Sequence, residues 1–374
     1  MTTRRPDAIV VGAGIVGAAC AAAFARDGLR VLVLDAAGAA LGTTSAGMGH
    51  LVVMDDSPGQ LALTHYSTRL WESQDERLRV ASELEWCGTV WVAEDDVQMD
   101  AVRSKQRLYA GQGIASEVLD DASLLEAEPH LRQGLAGGLL VPSDGVIYPP
   151  AAAVALLESA RANGADVRER SPVDEIVANG VRCGGETIHA EVVVNAAGAA
   201  AATLTPGLSV VPRKGHLIIT ERHPGFCRHQ IVELGYLTSA HVMTGESVAF
   251  NVQPRITGQV LIGSSRELVG WNATVNRRVL GRMVERACEF MPGLANLTAA
   301  RTWTGFRPAT PDKLPLIGRW PDTPGLWIAA GHEGLGITTS LGTAALLGDL
   351  VAGRATAIDA APYAPDRGVA AEVH

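Results

Sequence analysis

The stretch Gly12-Ala-Gly14-Ile-Val-Gly17 constrains this 374-residue chain more than any other. It follows a short apolar run, Ala8–Val11, and leads into an alanine-rich, helix-favouring segment, Ala18–Arg26, that stops before Gly28. A second apolar run, Arg30–Leu34, ends at Asp35. Strand, glycine turn, helix, strand and acid, in that order, make a dinucleotide-binding βαβ unit. Gly12 permits the tight turn, Gly14 lets backbone approach a pyrophosphate, and Gly17 lets the helix pack on the strand. The helix N-terminus, with Ile15 and Val16 in its first turn, presents unpaired amides and the positive end of its dipole. Asp35, with Ala36 beside it, is placed to take the hydroxyls of an adenosine ribose. The motif alone does not choose between NAD and FAD. The next stretch favours FAD. Gly42-Thr43-Thr44-Ser45-Ala46-Gly47-Met48-Gly49-His50 is small and hydroxyl-rich, suited to lying along a diphosphate and a flavin ring edge.

Bulk composition excludes several classes. Apolar residues make up 47% and charged residues 19%, which gives a globular chain with ample core. The net charge of −9 leaves no general basic character for nucleic acid. Cysteines at 20, 87, 183, 227 and 288 form no CxxC pair. That argues against a zinc ribbon, an iron–sulfur cluster built by this chain alone, or a disulfide scaffold, so no metal is expected. Ala8–Ala25 is uncharged and close to spanning length, but its glycine spacing reads as the nucleotide motif. The expected location is cytoplasmic, with a peripheral position at the inner membrane face as the alternative.

Further along, helical patterns are expected over 55–79, 95–108, 120–129, 151–163, 276–292 and 337–351. Strands are expected over 83–93, 139–148, 166–170, 173–178, 314–318 and 326–330. Glu191–Ala202 reads as a buried parallel strand running into a turn at Ala197 and Gly198. Apolar runs broken by Gly and Pro over 210–266 read as antiparallel sheet. The expected class is α/β, α+β overall: a discontinuous Rossmann-like domain (1–80, 145–205 and 300–374) with an inserted antiparallel-sheet substrate domain (81–144 and 206–299).

Four blocks carry a family resemblance, in order: the glycine motif, RKGHLIIT (213–220), FRPATPDKLPLIG (306–318) and GHEGLGITTSLGTA (331–344). The chain resembles the FAD-dependent D-amino-acid oxidase and glycine oxidase superfamily over nearly its whole length. SAGMGHLVVMDDSPGQLALTHYS, LIGSSRE and GHEGLGITTS give a narrower similarity to bacterial amine dehydrogenases. These include D-hydroxyproline dehydrogenases, opine oxidase B subunits and hydrogen cyanide synthase subunits.

The resemblance implies non-covalent FAD and several residue roles. Arg307 matches the arginine that binds the substrate carboxylate, a role its planar fork suits. His332, Glu333, Gly334, Leu335, Gly336 and Ile337 match the block that sets amides and a helix N-terminus beside the flavin. Glycine oxidases carry a second carboxylate-binding arginine where this chain has Gly334, so Arg307 carries that role here. Glu333 is a candidate for a substrate ammonium or hydroxyl, and His50 for setting amine protonation. Pro172, Val173 and Gly305 complete the expected cofactor contacts. Lys214 and His216 are expected near the flavin, with Asn251 and Arg266 as weaker cavity candidates. The implied reaction is hydride transfer from the α-carbon of an amino or imino acid to flavin, D-hydroxyproline or D-proline first. The alternatives are an opine, glycine, N-methylglycine or, further off, a 2-hydroxy acid. Oxygen, a quinone or a partner protein is the expected acceptor, and a homo-oligomer or a larger dehydrogenase complex the expected assembly.

Overall fold

A computed structural model of the chain describes residues 5–235 and 246–368. Residues 1–4, 236–245 and 369–374, at the edges or inside the expected segments, lie outside the described residues. Two large sheets organise the rest. The first has six strands in the order 316–319, 326–330, 192–195, 8–11, 31–34 and 166–168. Its neighbours run parallel except for the hairpin-like pair 316–319 and 326–330. Period-two alternation explains why its central strands are apolar throughout. Ala8, Val10, Val31 and Val33 face a core shared with helices Ile15–Arg26, Pro149–Ala162 and Gly336–Ala352. Ile9, Val11, Leu32 and Leu34 face the opposite core, where the small antiparallel sheet 173–189 packs.

The second sheet has eight strands in the order 299–309, 211–222, 259–266, 247–254, 230–233, 89–93, 137–141 and 117–119. All its pairings are antiparallel except 230–233 with 89–93. Helix Arg277–Phe290 covers one face, burying Val279, Met283, Ala287 and Phe290.

Several elements depart from the sequence reading. The helix expected over 55–79 is two helices, Pro58–Glu72 and Glu76–Ala81, each started by a side-chain cap from Ser57 or Asp75. The expected strand 83–93 is regular only over Thr89–Ala93. Helix Pro149–Ala162 begins two residues early, because proline fits the first helical turn. Strand Ala299–Ala309 joins the eight-stranded sheet, so the chain returns to the six-stranded sheet only at Leu316.

Candidate functional site

A cavity of about 500 Å³ runs along the C-terminal edge of the six-stranded sheet and on toward the eight-stranded one. Its first end is the glycine turn. Gly12 holds φ +109°, and a Cβ there would stand 2.5 Å from Ala196 O, so the strand-to-helix turn closes only without a side chain. Gly17 packs against Gly12, where a Cβ would stand 2.0 Å from the Gly12 carbonyl; it supports the turn from beneath and does not line the cavity. Asp35 lines the cavity while its carboxylate accepts the backbone amides of Ala13 at 2.7 Å and of Ala37 and Gly38 at 2.9 Å each. Ile15 and Val16 open the helix on this wall, with Ala36, Val173, Ala197 and Gly198 opposite.

The loop 42–50 forms the middle. The Ile15 amide donates to Thr44 Oγ1 at 2.9 Å, and Thr43 Oγ1 donates to Phe306 O at 2.6 Å, so the loop is tied to both sheets. Ala46, Gly47, Met48 and Gly49 follow along the cavity. Gly49 holds φ +108° with its α-carbon against Ile147 O, which a Cβ would approach to 2.0 Å. Across from Ala46 lies Gly305.

The second end carries the charges. Arg307 and Arg213 face each other directly across neighbouring strands. Gly215, on the same strand face as Arg213, leaves room for the Arg307 guanidinium, which a Cβ there would meet at 2.4 Å. Arg307 Nη1 donates to Ser265 O at 2.9 Å. The Glu333 amide donates to Pro308 O at 2.8 Å, and Glu333 Oε2 accepts the Gly334 amide at 2.6 Å. Glu333 Oε1 stands 3.5 Å from Arg213 Nη1 and 3.8 Å from Arg266 Nε. Burial works against the Glu333 charge, yet Arg266, Arg307 and Arg213 hold its carboxyl below the usual range. A smaller adjoining cavity of about 80 Å³ shares His50, Asn251, Glu333 and Gly334 with the first and adds Arg213, Arg266, Lys313, Asp56 and Leu335.

Burial pushes the His50 imidazole down to about 4, against a hydrogen bond to Gln230 and with help from Arg307. His332 goes down to about 3 for burial alone, and its Nε2 is bonded to Thr343 Oγ1 at 2.9 Å. Both rings are neutral near pH 7. His332 lines the cavity, uncharged and held by Thr343.

Most of the residues expected from sequence converge on these two cavities. Gly336 and Ile337 line the larger one at the start of helix Gly336–Ala352, and Leu335 lines only the smaller. Besides Gly17, the residues Ser45, Pro172, Lys214 and His216 stand off the cavity walls. Ser45 is exposed, its hydroxyl donating to Gly42 O at 3.1 Å, away from the cavity. Pro172 stops short of the wall that its neighbour Val173 reaches. Lys214 and His216 fall on the opposite strand face from Gly215. Lys214 lies 3.1 Å from Glu267, and His216 takes the Asn276 amide on Nε2 at 2.9 Å. Sequence reading missed Arg213, Gly215, Leu217, Ser264, Lys313 and Gln230. Strand parity within RKGHL was the available signal for the first three.

Comparison with known proteins agrees with this geometry. The family model described as DAO, FAD dependent oxidoreductase, matches residues 7–350. Glycine oxidase from Geobacillus kaustophilus is 29% identical, with 98% of each chain covered. Its crystal structure superposes with a TM-score of 0.88 over 98% of this chain and 99% of that one. Hydrogen cyanide synthase subunit HcnC from Pseudomonas aeruginosa is 28% identical over 96% of this chain and 95% of its own. The crystal structure of iminodiacetate oxidase from Chelativorans sp. BNC1 is 25% identical, with TM-score 0.82 and coverage of 96% and 98%.

Proposed function

The chain belongs to the DAO family of FAD-dependent oxidoreductases, and from that premise we propose that it oxidises a small amino or imino acid, D-proline or D-hydroxyproline first, gripping the carboxylate with Arg307. It is a flavoenzyme of the amino acid and amine class. The observation that carries the substrate reading is the seat of Arg307. Its guanidinium lies in the wall of the larger cavity over Gly215, across from Arg213 on the neighbouring strand, while Arg213 and Arg266 stand against Glu333 in the adjoining smaller cavity.

The residues fit FAD. The glycine turn and helix N-terminus offer amides where Cβ atoms would clash, Asp35 stands at the outer end, and a second helix N-terminus at Gly336 reaches the inner end. When bound, FAD supplies the two-electron acceptor for the substrate C–H bond. The chain's own residues do the rest. Arg307 orients the carboxylate bidentately. Neutral His50 adds no positive charge beside a nitrogen that must be neutral, its lone pair forming the C=N bond as the α-carbon releases hydride. Both His50 ring nitrogens are engaged by Gln230 and Asn251, which supports non-covalent FAD. Glu333, held by arginines, serves as a fixed anion that sets their orientation.

A specific observation favours a second reading, oxidation of an opine or N-carboxyalkyl glycine. The smaller cavity is lined by Arg213, Arg266 and Lys313 together with Asp56 and Glu333, so a second set of charged groups adjoins the end where Arg307 stands, and an extended substrate with a second polar end could reach it. The likeness to iminodiacetate oxidase points the same way. Likeness to HcnC, a synthase subunit, supports a partner protein as electron acceptor beside oxygen or a quinone.

The test is anaerobic mixing of the purified yellow protein with D-proline, D-hydroxyproline, glycine, N-methylglycine and iminodiacetate, following absorbance near ~450 nm, a property of the cofactor. Bleaching by a D-imino acid supports the first reading, and bleaching by iminodiacetate alone supports the second. Arg307→Ala should raise the substrate Kd by roughly 100-fold, as expected for loss of a charge-assisted pair. An unchanged Kd in Arg307→Ala rejects the carboxylate assignment, and a protein that bleaches with none of the five rejects both readings.

A further inference from the structure

Beyond the carboxylate anchor, one buried amide in the wall of both cavities has a fixed orientation and an oxygen with no partner among the described residues. Asn251 lies on strand Ser247–Pro254, paired with Val232 on one side and Gly263 on the other. It is 6% exposed, and its Oδ1 has no hydrogen-bond partner among the described residues. A buried acceptor left unmatched is costly, so such an atom calls for a donor from a ligand.

The orientation of that amide follows from a chain of groups that reaches back into the core. Gln230 is wholly buried, and its Nε2 donates to Thr89 Oγ1 at 2.6 Å and reaches Gly145 O at 3.4 Å. The Gly145 carbonyl can only accept, so the NH2 end of Gln230 belongs on that side. Gln230 Oε1 therefore faces His50, to whose Nδ1 it is bonded. An acceptor at Nδ1 places the single ring proton there and leaves Nε2 as a lone pair. Asn251 Nδ2 lies 3.2 Å from that lone pair and donates to it. The amide is thus turned with its NH2 toward His50 and its oxygen away from it. His50 and Asn251 line both cavities, as does Glu333, and Arg307 lines the larger.

We propose that Asn251 Oδ1 accepts an N–H from the substrate nitrogen, and that Gln230 and His50 act as positioning residues that fix which end of the Asn251 amide faces the cavity. This rests on the amino-acid reading above. Arg307 holds one end of the substrate and Asn251 the other, which orients the α-carbon between them. An amide oxygen also suits the chemistry: it binds an N–H without supplying a charge that would favour the ammonium form.

The experiment compares two ligands of equal shape on the FAD-loaded protein. D-proline carries the N–H, and tetrahydrofuran-2-carboxylate carries an ether oxygen in its place. Binding of the ether analogue is read from the flavin absorption band, and D-proline from the concentration dependence of bleaching. Asn251→Ala should raise the D-proline Kd roughly 10-fold, the worth of about one hydrogen bond, while leaving the ether analogue within about twofold of the parent. Arg307→Ala should weaken both ligands. Gln230→Leu should produce a smaller loss for D-proline alone, and 15N shifts of His50 should move from the Nδ1–H tautomer pattern toward a mixture, in apo and loaded protein alike. An equal loss for both ligands in Asn251→Ala would make Asn251 a structural residue and overturn the inference, as would an unchanged D-proline Kd. If Asn251→Ala does not load FAD, Asn251→Ser serves in its place, and a His50 already in the Nε2–H tautomer in the parent overturns the inference without any variant. Failure of the parent to bleach with any amino acid falls on the proposed function instead, and the His50 tautomer still reports on the chain of groups.

Discussion

Asp144 is fully buried, and burial pushes its carboxyl up to about 7; hydrogen bonds from Thr89 and the Val53 amide and the charge of Lys105 pull in the opposite direction. Near it, Lys105 is paired with Asp55, and the phenol of Tyr109 donates to Val53 O at 2.9 Å. A carboxyl whose folded-state pKa is raised contributes stability at low pH and loses it as pH rises through the folded value. The unfolded chain releases this proton near 3.8, so stability falls between about pH 4 and pH 7 and then levels off. Asp144→Asn keeps the shape and cannot ionise. It should raise Tm at pH 8 by an amount worth on the order of 2 to 4 kcal/mol, and change it little at pH 4. Calorimetry at both pH values checks this; an equal shift at the two pH values would show that packing, and not ionisation, is what the variant changes. Arg307 tells a related story about single residues. Its type and neighbours marked it in the sequence as a cation that would need a partner if buried, and the structure leaves it half-buried. That partner's chemistry is supplied in the structure by Ser265 O and by the field of Glu333.

Elements divide into those that sequence marks and those that tertiary pairing creates. The glycine turn at Gly12–Gly17 and helix Ile15–Arg26 were legible because the glycine spacing and the helix-favouring alanine run leave a local imprint. Helix Gly336–Ala352 was legible too, from a long run of small residues that ends at the left-handed Gly353. Strand Ala299–Ala309 was not. Its first half, Ala299–Trp303, is exposed or only half-buried, so no alternation of apolar residues announces it. It is fixed by pairing with Val211–Arg222, which lies nearly ninety residues away in sequence. The side-chain roles of Lys214 and His216 failed for the same reason, since the direction a strand residue faces is set by register. Glycines allow a test at this scale. Gly281 sits exposed within helix Arg277–Phe290 with nothing within 4 Å of an added Cβ. Gly281→Ala should stabilise the chain by about 0.5 to 1 kcal/mol, the helix-interior difference between the two residues. Gly49→Ala should do the reverse by forcing the loop 42–50 off Ile147 O, with FAD binding lost before the fold is. Denaturant midpoints and FAD titrations measure the pair; a neutral Gly49→Ala would show that the loop 42–50 relaxes freely and is not locked as drawn.

At the scale of the molecule, the larger cavity is a seam. Its walls come from the glycine turn, loop 42–50, strand Val211–Arg222, strand Ala299–Ala309 and helix Gly336–Ala352, so both sheets contribute. A ligand that binds such a seam and has no site in the unfolded chain stabilises both sheets together. The gain follows the ratio of free ligand to Kd, about 2.7 kcal/mol at a hundredfold excess. For a chain of this length that is a rise of roughly 3 to 8 °C in Tm. FAD added to the apo protein should therefore shift a single transition upward in step with the logarithm of its concentration. Gly12→Ala, whose Cβ would meet Ala196 O, should abolish the shift while leaving the apo transition lower but intact. NAD shares the adenosine and pyrophosphate and should give a smaller shift if, as proposed, the flavin fills the inner cavity lined by Met48, Gly305 and Gly336. Equal shifts with the two dinucleotides would confine binding to the glycine turn and Asp35 and leave the inner cavity without a role in holding the cofactor. A larger shift with FAD makes the inner cavity part of the same site, which places the bound flavin within reach of the arginines that the substrate reading requires.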